Sequence, residues 1–207
     1  MPNVSSVKSK FFGAVDALDA DGISVAASIG SATTLTLGGT LTSGGSYTSG
    51  DNIGQLITIL SAADDSGITF TIVGTDAVGD ALTEVVTGAD TATATSSGYF
   101  NTVASITTSA ASAGNVSAGV TGTGTGTVFA GRTRIRGLQG LSAATAGNLL
   151  FKNTSVTGTT LLTVPTSTST TDLIEPYIPD NGVLFDAGAY VSFSAGLAAG
   201  VTVFYDG

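Results

Sequence analysis

The run Ile68-Thr69-Phe70-Thr71-Ile72-Val73 alternates apolar side chains with threonine, and Leu82-Thr83-Glu84-Val85-Val86-Thr87 follows after the turn-forming stretch 74–80 (GTDAVGD). Alternation at every second residue, carried by β-branched and aromatic side chains, is the signature of a half-buried strand. Two such runs around Gly and Asp predict an antiparallel hairpin. Similar runs occupy 34–37, 55–60, 102–107, 149–152, 160–164, 189–193 and 201–205, each bounded by Gly, Ser, Asp or Asn. Strands at this spacing predict an all-β sandwich or barrel. Helical periodicity is confined to residues 11–18, where Ser9 offers a cap for one short helix and Gly13 and Val15 weaken it.

Composition agrees with an all-β reading and narrows the chemistry. Of 207 residues 10% are charged and 29 are glycine, against about 25% charged in ordinary domains. Cysteine, histidine and tryptophan are absent. That removes thiolate and imidazole nucleophiles, the usual zinc ligands and any disulfide. With 42% hydrophobic residues the chain can bury a core despite its net charge of −9. So acidic a surface gains nothing from phosphate counterion release, so no nucleic-acid partner is expected. No apolar run reaches the length of a membrane-spanning helix, and no membrane partner is expected either. Lys8 and Lys10 precede Phe11 and Phe12, but Asp16, Asp19 and Asp21 break up the apolar stretch that a leader would need.

Texture and charge change near residue 130. Residues 110–126 (AASAGNVSAGVTGTGTG) are poor in bulky side chains and end in an alternating Gly-Thr tract, read as a flexible linker or an extended arm. Residues 1–131 hold ten acids and two bases, whereas 132–207 hold five acids and four bases. The predicted organisation is an N-terminal arm or short helix over 1–21, a β module over 22–126 and a C-terminal β-sandwich module over 127–207. These are two small sandwich or jelly-roll-like modules joined by a Gly/Thr-rich linker, with an extended N-terminal arm.

Few residues stand out as functional. Arg132, Arg134 and Arg136 are half of the six cations and recur at every second position, so a strand would project all three guanidinium groups from one face. Such a stripe suits an acidic partner, because the guanidinium fork pairs bidentately with carboxylates; alternatively it is a solvated face protecting a sheet edge. Asp16, Asp19, Asp21, Asp64 and Asp65 lie near glycines but fail the EF-hand spacing, so turn-forming roles are favoured over Ca²⁺ binding. The same holds for Asp76 and Asp80. Glu84 and Glu175 are the only glutamates, and nothing around them marks a glycosidase pair. Ser5-x-x-Lys8 lacks its partner motifs, and the Asn-x-Ser/Thr sites at Asn3, Asn115 and Asn153 are background in so Ser/Thr-rich a chain. Tyr47, Tyr99 and Tyr177 are the candidates for an exposed, sugar-binding platform. The expectation is a protein with no catalytic residue, no cofactor and no metal.

A resemblance adds to this reading. Residues 66–88 (SGITFTIVGTDAVGDALTEVVTG) followed by 98–107 (GYFNTVASIT) resemble a recurrent β module of tailed-bacteriophage virion proteins. Residues 180–191 (DNGVLFDAGAYV) and 201–205 (VTVFY) resemble small structural proteins of marine and cyanobacterial phages. The resemblance covers about half of the chain and rests on β patterns rather than on a catalytic signature. It implies a non-enzymatic virion component assembled in the host cytoplasm, foremost a capsid decoration (cement) protein that binds the outer shell in many copies. The implied partners are the major capsid protein or other virion proteins, with homo-oligomerisation, for instance as a trimer. Arg132, Arg134, Arg136, Phe11 and Phe12 are the expected contact residues. The alternatives are a tail, neck or fibre-attachment component, or a carbohydrate-binding adhesin module.

Overall fold

In the computed structural model, which describes residues 7–207, the chain is all-β: 17 strands and no helix among the described residues. Asn3 and Ser5 lie outside the described residues. In chain order the strands are β1 (Lys8–Phe12), β2 (Asp19–Ser28), β3 (Thr42–Ser43), β4 (Ser46–Thr48), β5 (Gly54–Ser61) and β6 (Thr69–Thr75). Next come β7 (Ala81–Thr87), β8 (Thr93–Phe100), β9 (Thr102–Thr108), β10 (Asn115–Phe129), β11 (Thr133–Ser142) and β12 (Gly147–Asn153). The last five are β13 (Thr160–Thr166), β14 (Leu173–Ile174), β15 (Val183–Phe185), β16 (Ala189–Ser194) and β17 (Ala198–Asp206).

The expected hairpin is present. β6 and β7 pair antiparallel from Thr69↔Thr87 to Thr75↔Ala81. Its turn is organised by Asp76, whose Oδ1 accepts from the Val78 and Asp80 amides at 2.9 and 3.0 Å. Alternation sorts β6 as anticipated: Phe70 and Ile72 are fully buried while Thr69 and Thr71 are not. Each such burial is worth about 1.5–3 kcal/mol relative to exposure.

The chain divides into two compact units. One comprises residues 7–15, Asp51–Ile53 and Thr125–Gly207. Within it, one sheet runs β1-β17-β11-β14, with β15 also paired to β11, and a second set of strands runs β13-β12-β16. Its core includes Phe12, Ile135, Phe151, Phe185, Val191 and Val203. The other unit comprises Asp16–Gly50 and Gly54–Gly124. Here β3-β4-β9-β6-β7 form one sheet, and β10 carries β2 as a side branch and leads on to β5 and β8. Tyr47, Ile57, Phe70, Phe100, Ile106 and Val116 lie in its core.

Two sequence expectations are corrected. The short helix over 11–18 does not form: residues 8–12 are instead strand β1, paired with β17 from Lys8↔Tyr205 to Phe12↔Val201. The Gly/Thr-rich linker is also not a linker, because residues 115–129 form the longest strand, largely buried along its length. Its glycines answer to steric need rather than flexibility. A Cβ at Gly119 would sit 1.7 Å from the Asp19 carbonyl oxygen, and Gly122 adopts φ +75° with the Leu18 amide nitrogen 2.7 Å from where a Cβ would be. Where another backbone approaches this closely, only glycine fits.

Candidate functional site

The arginine stripe lies at the start of β11, with Arg132 just ahead of the strand. Thr133 and Ile135 are buried, and Arg134 and Arg136 project from the opposite face. Strand geometry therefore aligns them as their spacing predicted. β11 is not an edge strand, however: Arg134 pairs with Asp206 of β17 on one side and with Leu184 of β15 on the other. The edge-protection reading is thereby corrected. Between Ile135 and Gly137 the register with β17 slips. This bulge places Arg136 and Gly137 together on the partly exposed side before Leu138 returns to the core.

Each guanidinium already has an acceptor within the chain. Arg132 Nε stands 3.8 Å from Asp186 Oδ1, both largely exposed. Arg134 Nη1 donates to the Asn181 carbonyl at 2.9 Å. Arg136 Nε lies 3.4 Å from Asp206 Oδ2 in a more sheltered pair. An exposed pair such as the first contributes about 0–1 kcal/mol and opens readily to a competing carboxylate. The stripe is thus a mixed-charge surface, with Arg132 exposed and Arg134 and Arg136 half-buried.

Phe11 and Phe12 part company. Phe11 is 46% exposed and leans over Gly200, whereas Phe12 is 0% exposed and part of the core. Adjacent residues of a strand face opposite ways, so the two phenylalanines cannot both serve a partner. Phe12 is a packing residue.

Of the tyrosines, Tyr177 alone is a fully presented ring at 88% exposure, beside an open hollow lined by Arg136, Gln139, Glu175 and Phe204. Tyr47, expected in an exposed loop, is instead buried in β4. Its hydroxyl lies 2.9 Å from Asp16 Oδ2 and 3.0 Å from Gln55 Oε1. Gln55 Oε1 also accepts from the Asp16 amide and from Ser49 Oγ, while Gln55 Nε2 donates to the Asp16 carbonyl. Burial holds the Asp16 carboxyl above the usual carboxylate range, with the tyrosine hydrogen bond acting in the opposite sense. Burial likewise raises the Tyr47 phenol. Sequence patterning missed this network, since its members lie up to 39 residues apart.

Asp19 and Asp64 organise nearby backbone. Asp19 accepts from Thr40 Oγ1 at 2.8 Å and from the Asp21 amide, and the Thr40 hydroxyl leads in holding Asp19 below its ordinary value. Asp64 accepts from the Ser66 hydroxyl and amide, which lower its pKa in the same way. The bonds from Asp21 and Ser66 are the local turn bonds for which Asp is selected, whereas Thr40 reaches Asp19 from 21 residues away. Among the described residues no group of three or more acidic side chains is placed to hold a metal ion, and no helix is long and apolar enough to cross a membrane.

Comparison of the chain with protein-family models, with curated proteins and with solved structures finds no match.

Proposed function

We propose that this chain is a non-enzymatic structural protein of a tailed-phage virion, acting as a capsid decoration protein that binds the assembled outer shell in many copies. The observation that carries the reading is the likeness of residues 66–88 and 98–107 to virion β modules. Within them, residues 69–87 and 102–107 form one continuous piece of sheet, β9-β6-β7, built around buried Phe70, Ile72, Val103 and Ile106, while residues 98–100 end β8. A protein that binds the assembled shell and not its free subunits stabilises that shell by mass action. The contact surface proposed for the major capsid protein is the arginine stripe, with Arg132 its exposed member and Arg134 and Arg136 beside it, and with Phe11 as an apolar contact. Fold alone does not give function, so the test is direct.

Quantitative mass spectrometry of purified virions, with heads and tails separated, measures the copy number. Hundreds of copies in the head fraction support decoration. A dozen or fewer in the tail fraction move the chain to the tail, neck or fibre-attachment role, and absence from particles overturns the virion reading. The exposed Tyr177 beside Gln139 and Glu175 favours carbohydrate binding as the second reading. It predicts retention on immobilised host polysaccharide that Tyr177→Ala abolishes.

A further inference from the structure

Of the seven asparagines in the chain, Asn181 is followed by glycine and the other six by Val, Ile, Thr or Leu. The fold fixes that glycine. Asn181 and Gly182 end the turn that leads into β15, and the Gly182 amide donates to the Pro179 carbonyl at 2.7 Å. Gly182 has φ +67°, and a Cβ there would stand 2.6 Å from the Ile135 carbonyl oxygen, so glycine alone fits. Asn181 itself is exposed. Its carboxamide is thus next to a peptide nitrogen that no side chain screens, the pair from which a cyclic imide forms. Arg134 adds a second, independent feature. Its Nη1 donates to the Asn181 carbonyl oxygen at 2.9 Å, and that carbonyl shares one peptide group with the Gly182 nitrogen. When this peptide group loses its proton, the negative charge spreads onto the carbonyl oxygen, where the guanidinium stands. An opposite charge favours the ionised form, and a donor fixed at developing charge lowers the barrier to reaction. Arg136 flanks the same spot, its Cδ 3.1 Å from the place a Gly182 Cβ would take.

We infer that Asn181 is a site of spontaneous deamidation, promoted by Arg134. The turn bond to Pro179 opens first, as bonds in exposed turns do in local fluctuations. The Gly182 amide gives its proton to a solvent base, and its nitrogen attacks Asn181 Cγ. The N–Cγ bond forms as the Cγ–Nδ2 bond breaks, and Nδ2 leaves as ammonia with a proton from solvent. Water then opens the imide. Attack at Cγ leaves aspartate and the original main chain. Attack at the backbone carbonyl leaves isoaspartate, with Gly182 now linked through Cγ. Water is the co-reactant, and no oxidant or reductant takes part. Either product sets a new carboxylate beside Arg134, whose acceptor until then is a neutral carbonyl. Isoaspartate also lengthens the main chain by one carbon, just before Val183 pairs with Ile135. The chemistry is independent of the virion role proposed above.

The test is incubation of the folded, full-length protein at neutral pH, followed by peptide mapping. Residue 181 is expected to gain about one mass unit, as aspartate and isoaspartate, ahead of the other six asparagines. Asn181→Gln, whose longer side chain disfavours ring closure, is expected to abolish the change. Arg134→Gln is expected to slow the folded protein's conversion about threefold, the scale of a partly exposed charge interaction. In urea the same variant is expected to react at the wild-type rate. Arg134→Lys, which keeps the charge, is expected to recover part of the lost rate. A merely structural role for Arg134 predicts the reverse, because a loosened turn frees the Gly182 amide and both variants would react faster. Conversion at Asn181 no faster than at the other asparagines overturns the inference. So does an Arg134→Gln protein that, folded, converts as fast as the wild type or faster.

Discussion

Glu84 holds Ser97 through one carboxylate oxygen: Oε1 accepts from the Ser97 amide at 2.7 Å and from its hydroxyl at 2.9 Å. The other oxygen accepts from the Gly98 amide at 2.8 Å. One side chain of β7 thus ties its sheet to β8 and satisfies two backbone donors that would otherwise mark an open edge. Hydrogen bonds to a charged group contribute about 1.5–3 kcal/mol each to stability, not additively. Glu84→Ala is expected to destabilise the protein by about 2–4 kcal/mol in urea unfolding. Glu84→Gln, which keeps an acceptor oxygen, should lose less.

Asp16 predicts a pH dependence. Its carboxyl is raised in the folded protein by burial, so the folded state binds the proton more tightly than the unfolded chain does. Its contribution is then complete below the unfolded value of about 4 and is lost as pH rises towards the higher folded value. Protonated Asp16 can also donate to the Tyr47 oxygen, freeing the single phenolic proton for Gln55 Oε1. Asp16→Asn, neutral at every pH, is expected to flatten this fall. The stability difference from wild type, followed by thermal unfolding, should move in favour of the variant from pH 4 upwards and then level off.

Gly119 and Gly30 form a matched pair for testing why glycine is so frequent. A Cβ at Gly119 would overlap the Asp19 carbonyl, while at Gly30 it would meet nothing within 4 Å. Gly119→Ala is expected to cost more than about 3 kcal/mol, as overpacking against backbone does, or to prevent folding. Gly30→Ala should be neutral or stabilising by up to about 1 kcal/mol through the unfolded chain. Equal effects in chemical denaturation would refute the steric account of the Gly-Thr strand.

Thr154 adopts φ +79° in the loop after β12, a conformation that a β-branched residue tolerates poorly. The left-handed region costs a non-glycine residue about 1–2 kcal/mol. Thr154→Gly is expected to recover part of this, about 0.5–1 kcal/mol after the added chain entropy of glycine, read as a raised melting temperature.

Class and local pattern were legible wherever side chains alternate. Residues 68–73 and 82–87 declared a hairpin because threonine and apolar side chains alternate on a pleated strand with one wet face. The spacing of Arg134 and Arg136 declared a common face for the same reason, whereas Arg132 falls ahead of β11, and Asp76 and Asp64 declared turns through bonds to nearby backbone. β10 left no such trace: glycine has no side chain to alternate, and its strand character comes from neighbours packed against it, Asp19 and Leu18 among them. Phe11 and Phe12 are equivalent as sequence, yet pairing of β1 with β17 exposes one and buries the other. The Asp16–Tyr47–Gln55 network and the capping of β8 by Glu84 depend on which strands become neighbours. Periodicity is a property of a few consecutive residues and can be read from them. Adjacency between strands distant in sequence depends on how competing edges pair and pack, and only the folded chain decides that.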